Sequence, residues 1–278
     1  MDKLIDFDAL FEEKAAEYMK RNAGKYSEKQ WEAIIPKLYR EYGDTFIKKI
    51  NNTPRGYFAA MNDDDLVEML KAYLENGIPI NDFMRTELTE RNCVEKLLPL
   101  ISLGKGEVLQ LLASDFQCDN RIVKACSSLL KDGCDDRIAE LAIDYLSANA
   151  DLAKTEAIEL FRMGIQKEAM SEILSVCRNK DDAIFDLLLT EFRTSPDQLP
   201  LYASCLARYG DERALPVLFD YIGREEINYL EYRELKFAIE SLGGECKDER
   251  DFSEDAYYRE ISEQSQILPD FMNDEKKI

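Results

Sequence analysis

The stretch CLARYGDERALPVLFDYI, residues 205–222, ends one apolar-periodic run on Gly210 and starts another within a few residues. Glycine fits the position after a helix because it accepts the left-handed conformation that lets the chain reverse at once. Asp211 then stands where the positive end of the next helix favours an acid. The event recurs. LISLGKGEVLQLL turns at Gly104, SLLKDGCDDRIAELAIDYL at Gly133, ELFRMGIQKEAMSEIL at Gly164 and AIESLGGECKDER at Gly244. The spacing is near 30 residues, the period expected of paired-helix repeats. One longer interval, from Gly164 to Gly210, leaves room for an extra helix at KDDAIFDLLLTEFRTSPD. Two helices per unit read as an α-solenoid. An irregular helical bundle whose turns use glycine is the alternative.

Apolar residues recur at i, i+3, i+4 and i+7 almost everywhere, and period-two alternation is rare, so the expected class is all-α. SEKQWEAIIPKLYREYGDTF opens on the capping box Ser27-x-x-Gln30, and its helix should end near Gly43. NNTPRG, residues 51–56, reads as a loop. NDDDLVEMLKAYLENGIPI reads as a helix that begins on acids and stops at Asn76-Gly77. The expected organisation is a helical N-terminal region over 1–92, a repeat solenoid over 93–248 and an acidic tail or cap over 249–278. A short helix at DAYYREISEQ would cap the last hairpin.

GDERALPVLFDYI (210–222), followed by EYRELKFAIESLGGE (231–245), resembles a HEAT-like repeat of the short kind found in phycobilisome-lyase-type proteins. In that family an aspartate begins the helix, an arginine follows two positions on, and small and apolar residues face the partner helix. Those places hold Asp211, Arg213, Ala214, Leu215 and Leu218, and Pro216 implies a tight first turn. GCDDRIAELAIDYL (133–146) is a weaker copy, with Glu140 in place of the proline. The resemblance lies within residues 93–246. It implies stacked helical hairpins and partner binding, and it supplies no catalytic residue.

Charge narrows the partners. With 36 Lys and Arg against 56 Asp and Glu, the net charge is −20, which repels phosphate backbones and anionic headgroups. Nucleic acid is therefore not an expected partner. The absence of histidine removes Ser-His-Asp and Cys-His nucleophile systems, histidine bases and histidine zinc ligands. The cysteines number seven, an odd count without a C-x-x-C pair, as suits reduced thiols. Cys118, Cys126 and Cys134 are evenly spaced, but eight helical residues rotate about 80° off face, so no metal site is expected. No cofactor is expected either. The acid pairs and triplets, such as Asp63-Asp64-Asp65, sit where helices begin and read as caps. The acid-bearing start is not a signal peptide, and no run approaches the roughly 18 apolar residues that span a bilayer. A soluble, cytoplasmic protein without membrane attachment is expected.

Helical phase picks out a candidate interaction surface. In 119–132, Arg121, Lys124 and Ser128 lie opposite Val123, Cys126, Leu129 and Leu130. Arg162 and Arg208 stand opposite the core in their helices, and Arg233, Phe237 and Glu240 share a side of 229–243. If these face one way, an arginine ladder would suit an anionic ligand or acidic peptide. Ordinary solvated faces would carry as many cations. The tyrosines of the C-terminal end read as core or half-core, with interface anchoring as the alternative. The expected function is non-enzymatic: a scaffold or adaptor that binds a protein or peptide. The alternatives are a HEAT-like enzyme or sensor acting on a small molecule, similar to a chromophore lyase, and a binder similar to a DNA-base glycosylase.

Overall fold

A computed structural model describes residues 4–101, 106–247 and 250–261. The described residues form helices and no strand; an isolated bridge joins Ile47 and Asn52. The turn expected at Gly104 and the tail from 262 onward lie outside the described residues. The chain divides into two compact units, Met1–Tyr145 and Leu146–Ile278.

The first unit begins with α1 (Phe7–Arg21), α2 (Glu28–Tyr42), α3 (Pro54–Ala59) and α4 (Asp63–Glu75). It continues with α5 (Asp82–Glu90), α6 (Val94–Ile101), α7 (Gly106–Asp115), α8 (Asn120–Asp132) and the first part of α9 (Asp136–Ala148). The Ser27–Gln30 capping box starts α2, and Gly43 follows its last residue, as the sequence predicts. Asn62 caps α4, and Gly77, with φ +65°, turns the chain after it. The segment 51–56 corrects the sequence reading. Thr53 Oγ1 accepts from the Gly56 N–H at 3.0 Å and Pro54 occupies the first turn, so a helix starts inside the expected loop. Helix α4 packs on α5 and α6, and α6 packs on α7 and α8. Phe7, Phe58, Leu66, Leu70, Tyr73 and Met84 fill the core at this end, with Phe7 edge-on to Phe58 at 5.5 Å.

The second unit holds α10 (Ala150–Arg162), α11 (Lys167–Ser175), α12 (Asp182–Thr194), α13 (Leu199–Tyr209), α14 (Leu215–Ile222) and α15 (Tyr229–Ser241). Helices pair in chain order, α10 with α11, α12 with α13 and α14 with α15. Alternate helices also stack, α11 on α13 and α13 on α15. The extra helix expected after Gly164 is α12. Leu160, Leu174, Leu188, Phe192, Leu206 and Leu235 line the buried faces.

Two turns show how the chain reverses. Gly210 adopts φ +72° and donates its N–H to the Leu206 carbonyl at 3.1 Å. Asp211 then caps a 3-10 turn, Glu212–Ala214, and Pro216 enters the first turn of α14, where its missing N–H leaves no bond unmade. At the last turn the left-handed residue is Gly243, φ +83°, one position before the glycine picked out by the sequence. Gly244 is needed for space instead, since a Cβ there would stand 2.7 Å from Ile239 Cγ2 and 3.0 Å from Leu215 Cδ2.

Several side-chain hydrogen bonds that leave their own helix in this unit span 27 to 31 residues, while Arg208 to Glu172 spans 36. Lys154 reaches Asp181 (27 residues), Tyr209 reaches Asp181 (28), Gln198 reaches Glu168 (30) and Arg213 reaches Asp182 (31).

Candidate functional site

Of the surface residues predicted from sequence, Arg208, Arg233 and Phe237 lie on the adjacent helices α13 and α15. Arg208 is exposed near the end of α13, and its Nη2 donates to Glu172 Oε1 on α11 at 3.3 Å. Arg233 Nη2 donates to Glu234 Oε1 at 3.1 Å, and that bond holds the guanidinium pKa above its usual value. Phe237 follows one turn later and is 56% exposed, while Leu235, Ala238 and Ile239 beside it are buried. Glu240, the next residue on that face, is also exposed. Each of these two arginines is matched by a glutamate, so the face is mixed in sign with an aromatic ring standing out of it. The apolar phase predicted that Phe237 projects away from the core; the glutamate partners, one adjacent in the chain and one on α11, were not anticipated from it.

The other three residues lie elsewhere. Arg162 is exposed at the end of α10, the helix paired with α11. Arg121 and Lys124 are on α8, in the first unit. Lys124 is exposed. Arg121 folds back on its own helix cap, donating from Nε to Asp119 Oδ1 at 3.0 Å and from Nη2 to Asp119 Oδ2 at 2.5 Å. It also reaches Asn92 Oδ1 at 2.9 Å. Its guanidinium holds the Asp119 carboxyl below the usual carboxylate range. Arg121 therefore ties a cap together. Arg213 does the same for Asp211, with Nε and Nη2 on the two carboxylate oxygens at 3.0 and 2.6 Å.

Two clefts in the first unit are lined by side chains that already bond to one another. Openings of about 380 and 500 Å3 share Arg85. Arg85 makes a two-pronged bond to Asp115, Nε to Oδ2 at 2.8 Å and Nη2 to Oδ1 at 2.6 Å. In the larger opening the Phe83 ring stacks on Tyr39 at 4.9 Å, and the Arg55 guanidinium stands 5.2 Å from its centre. Both contacts occupy a ring that would otherwise stack on a planar ligand. Tyr39 Oη donates to Asp8 Oδ1 at 2.5 Å, a strut between α1 and α2. Burial pushes the Asp8 carboxyl up, and burial together with the neighbouring carboxylate pushes the Tyr39 phenol up.

The thiols are poor nucleophiles where they are buried. Burial raises Cys126 to about 12 and Cys177 and Cys205 to about 11, so they are protonated at neutral pH. None of the seven cysteines is in a disulfide, and Cys118 is the exposed one. Among the described residues no three cysteine, aspartate or glutamate side chains gather to hold a metal ion. Among them, too, no helix is long and apolar enough to cross a membrane.

No family model, no curated protein and no solved structure matches the chain.

Proposed function

We propose that this chain is a non-enzymatic scaffold of HEAT-like hairpins that binds a partner protein through the outer face of α13 and α15. The observation that carries the reading is Phe237. A phenylalanine left 56% exposed on a helix that buries Leu235, Ala238 and Ile239 contributes little to the fold and is available to a partner. Arg233 and Glu240 lie one turn to either side of it. An aromatic anchor within a rim of both charges is the make-up of a protein interface hot spot. The same mixture disfavours a purely anionic ligand, because glutamates compete for both arginines.

The stacking of alternate helices and the stride of 27 to 31 residues between bonded side chains support a repeat solenoid. The Asp211–Arg213 clamp supports the likeness of residues 210–245 to HEAT-like units. A stack of hairpins offers extended surface without any catalytic group. Seven cysteines without a disulfide suit a reducing compartment, and the reading places the protein in the cytoplasm.

Affinity capture from a lysate of the native host, at low and high salt and read by mass spectrometry, tests the proposal. A stoichiometric protein should be retained in both salts and reduced by about tenfold or more with Phe237→Asp, the melting temperature being unchanged. Recovery of nucleic acid or a pigment-like small molecule without protein would overturn it. So would full retention of the partner by the Phe237→Asp variant.

A further inference from the structure

We propose a second docking surface, independent of the α15 face: the outer side of α4 receives a lysine- and arginine-rich amphipathic helix of another protein. The acids of α4 fall into two groups. Asp63 pairs with Arg91 at 3.5 Å and Asp64 with Lys96 at 2.6 Å, cations supplied from the end of α5 and from α6. Asp65, Glu68 and Glu75 are exposed, and none of them forms an ion pair with the described residues. The Asp65 carboxylate accepts from the Asn62 side-chain amide at 2.6 Å, and the Asp65 N–H donates to Asn62 Oδ1 at 3.0 Å. Spacings of three and seven residues place these three carboxylates on one side of the helix, along about 15 Å of its axis. Among the described residues, cations from neighbouring helices pair Asp63 and Asp64, while Lys71, one turn from both Glu68 and Glu75, forms no ion pair with either.

Asp65, Glu68 and Glu75 border a cleft of about 550 Å3, with Leu4, Met61, Met69 and Ala72 among its lining. Leu4 also lines a second cleft of about 260 Å3, together with Ile47, Ile50, Asp6 and Glu13. Lys71 in the first and Lys49 in the second are outnumbered by the carboxylates around them. The complement of an apolar floor edged by unmatched carboxylates is an element with apolar residues on one side and cations beside them. An amphipathic helix presents both at i, i+3, i+4 and i+7. The thioethers of Met61 and Met69 adapt to the side chains laid against them. An acidic or phosphorylated segment meets repulsion here.

Fluorescence anisotropy with a labelled amphipathic peptide of about fourteen leucines and lysines, roughly four helical turns, tests the assignment. Its controls are a scrambled peptide of the same composition and a charge reversal placed elsewhere, Glu225→Lys with Glu226→Lys. Glu68→Lys with Glu75→Lys should weaken binding about tenfold or more, and the distant pair less than about twofold. Ala72→Arg, which fills the cleft and leaves the acids in place, should weaken it as well, while Phe237→Asp should leave it unchanged. Melting curves establish that each variant is folded. The proposal is overturned if both double variants lose affinity equally, if the scrambled peptide binds as tightly, or if the amphipathic peptide does not bind.

Discussion

Tyr209 and Asp181 are bonded twice through one hydroxyl: Tyr209 Oη accepts the Asp181 backbone N–H at 2.6 Å and donates to the Asp181 carbonyl at 2.9 Å. Asp181 is itself the N-cap of α12, its carboxylate held by the Ala183 N–H and by Lys154. A tyrosine at the end of one helix thereby fixes the entry of the helix before it. Tyr145 repeats the arrangement in the first unit, donating to the Phe116 carbonyl at 2.9 Å and accepting from the Asp119 N–H at 3.2 Å.

Tyr209→Phe removes this hydroxyl while keeping the ring. Two backbone groups of Asp181 lose their partner, and the expected loss is about 1–3 kcal/mol in urea unfolding. A variant as stable as the parent would show that water replaces the hydroxyl without cost.

The Asp211–Arg213 clamp has a pH signature. Arg213 holds the Asp211 carboxyl below its usual value. A group depressed in the folded state stabilises above its unfolded pKa, near 4, and that stability is lost as pH falls through the folded pKa. Arg213→Met should move the Asp211 titration upward toward the ordinary range, read by carboxyl-carbon NMR. An unmoved titration would assign the depression to the helix cap alone.

Asp8 has the opposite sign. Burial raises its folded pKa, so its contribution is present below the unfolded pKa and is lost as pH rises through the folded one. Asp8→Asn keeps an oxygen for Tyr39 and removes the buried charge. The variant should gain stability over the parent at pH 7 and lose that gain near pH 3, measured by thermal unfolding at both pH values. Equal gains at both would point to packing rather than charge.

The thiols should separate by exposure in a labelling experiment. Cys118 should react with a disulfide reagent in the native protein well before Cys126, Cys177 and Cys205, whose thiolates burial suppresses. Their reaction should wait for unfolding by denaturant. Rapid native labelling of Cys205 would contradict its burial.

What the sequence could disclose was local. Ser27 and Gln30 meet within one turn, and Gly210 needs only its own φ angle, so both were legible from neighbouring residues. The start of α3 was missed because turn residues in NNTPRG outweighed the Thr53-Pro54 pair that opens a helix. Gly243 and Gly244 are adjacent, and only packing against Ile239 and Leu215 assigns each its part. The exposed ring of Phe237 followed from helical phase. The partners of the arginines did not, because Glu172 is 36 residues from Arg208 and periodicity names faces rather than the helices that meet them. Asp65 was read with Asp63 and Asp64 as part of a helix start; Glu68 and Glu75 were not singled out, though their spacing from it was already in the sequence.

The stride of the bonds between hairpins also bears on what lengths this chain can accept. Lys154 completes a cap that belongs to α12, and Arg213 reaches a carboxylate on the helix two before its own. A few residues inserted within a helix would throw every such pair out of step by a fraction of a turn. On the proposed repeat reading, gain or loss of one whole hairpin would return each donor to an equivalent acceptor. In evolution or in the laboratory, length is therefore expected to change in steps of one hairpin, much as a ladder is extended by whole rungs.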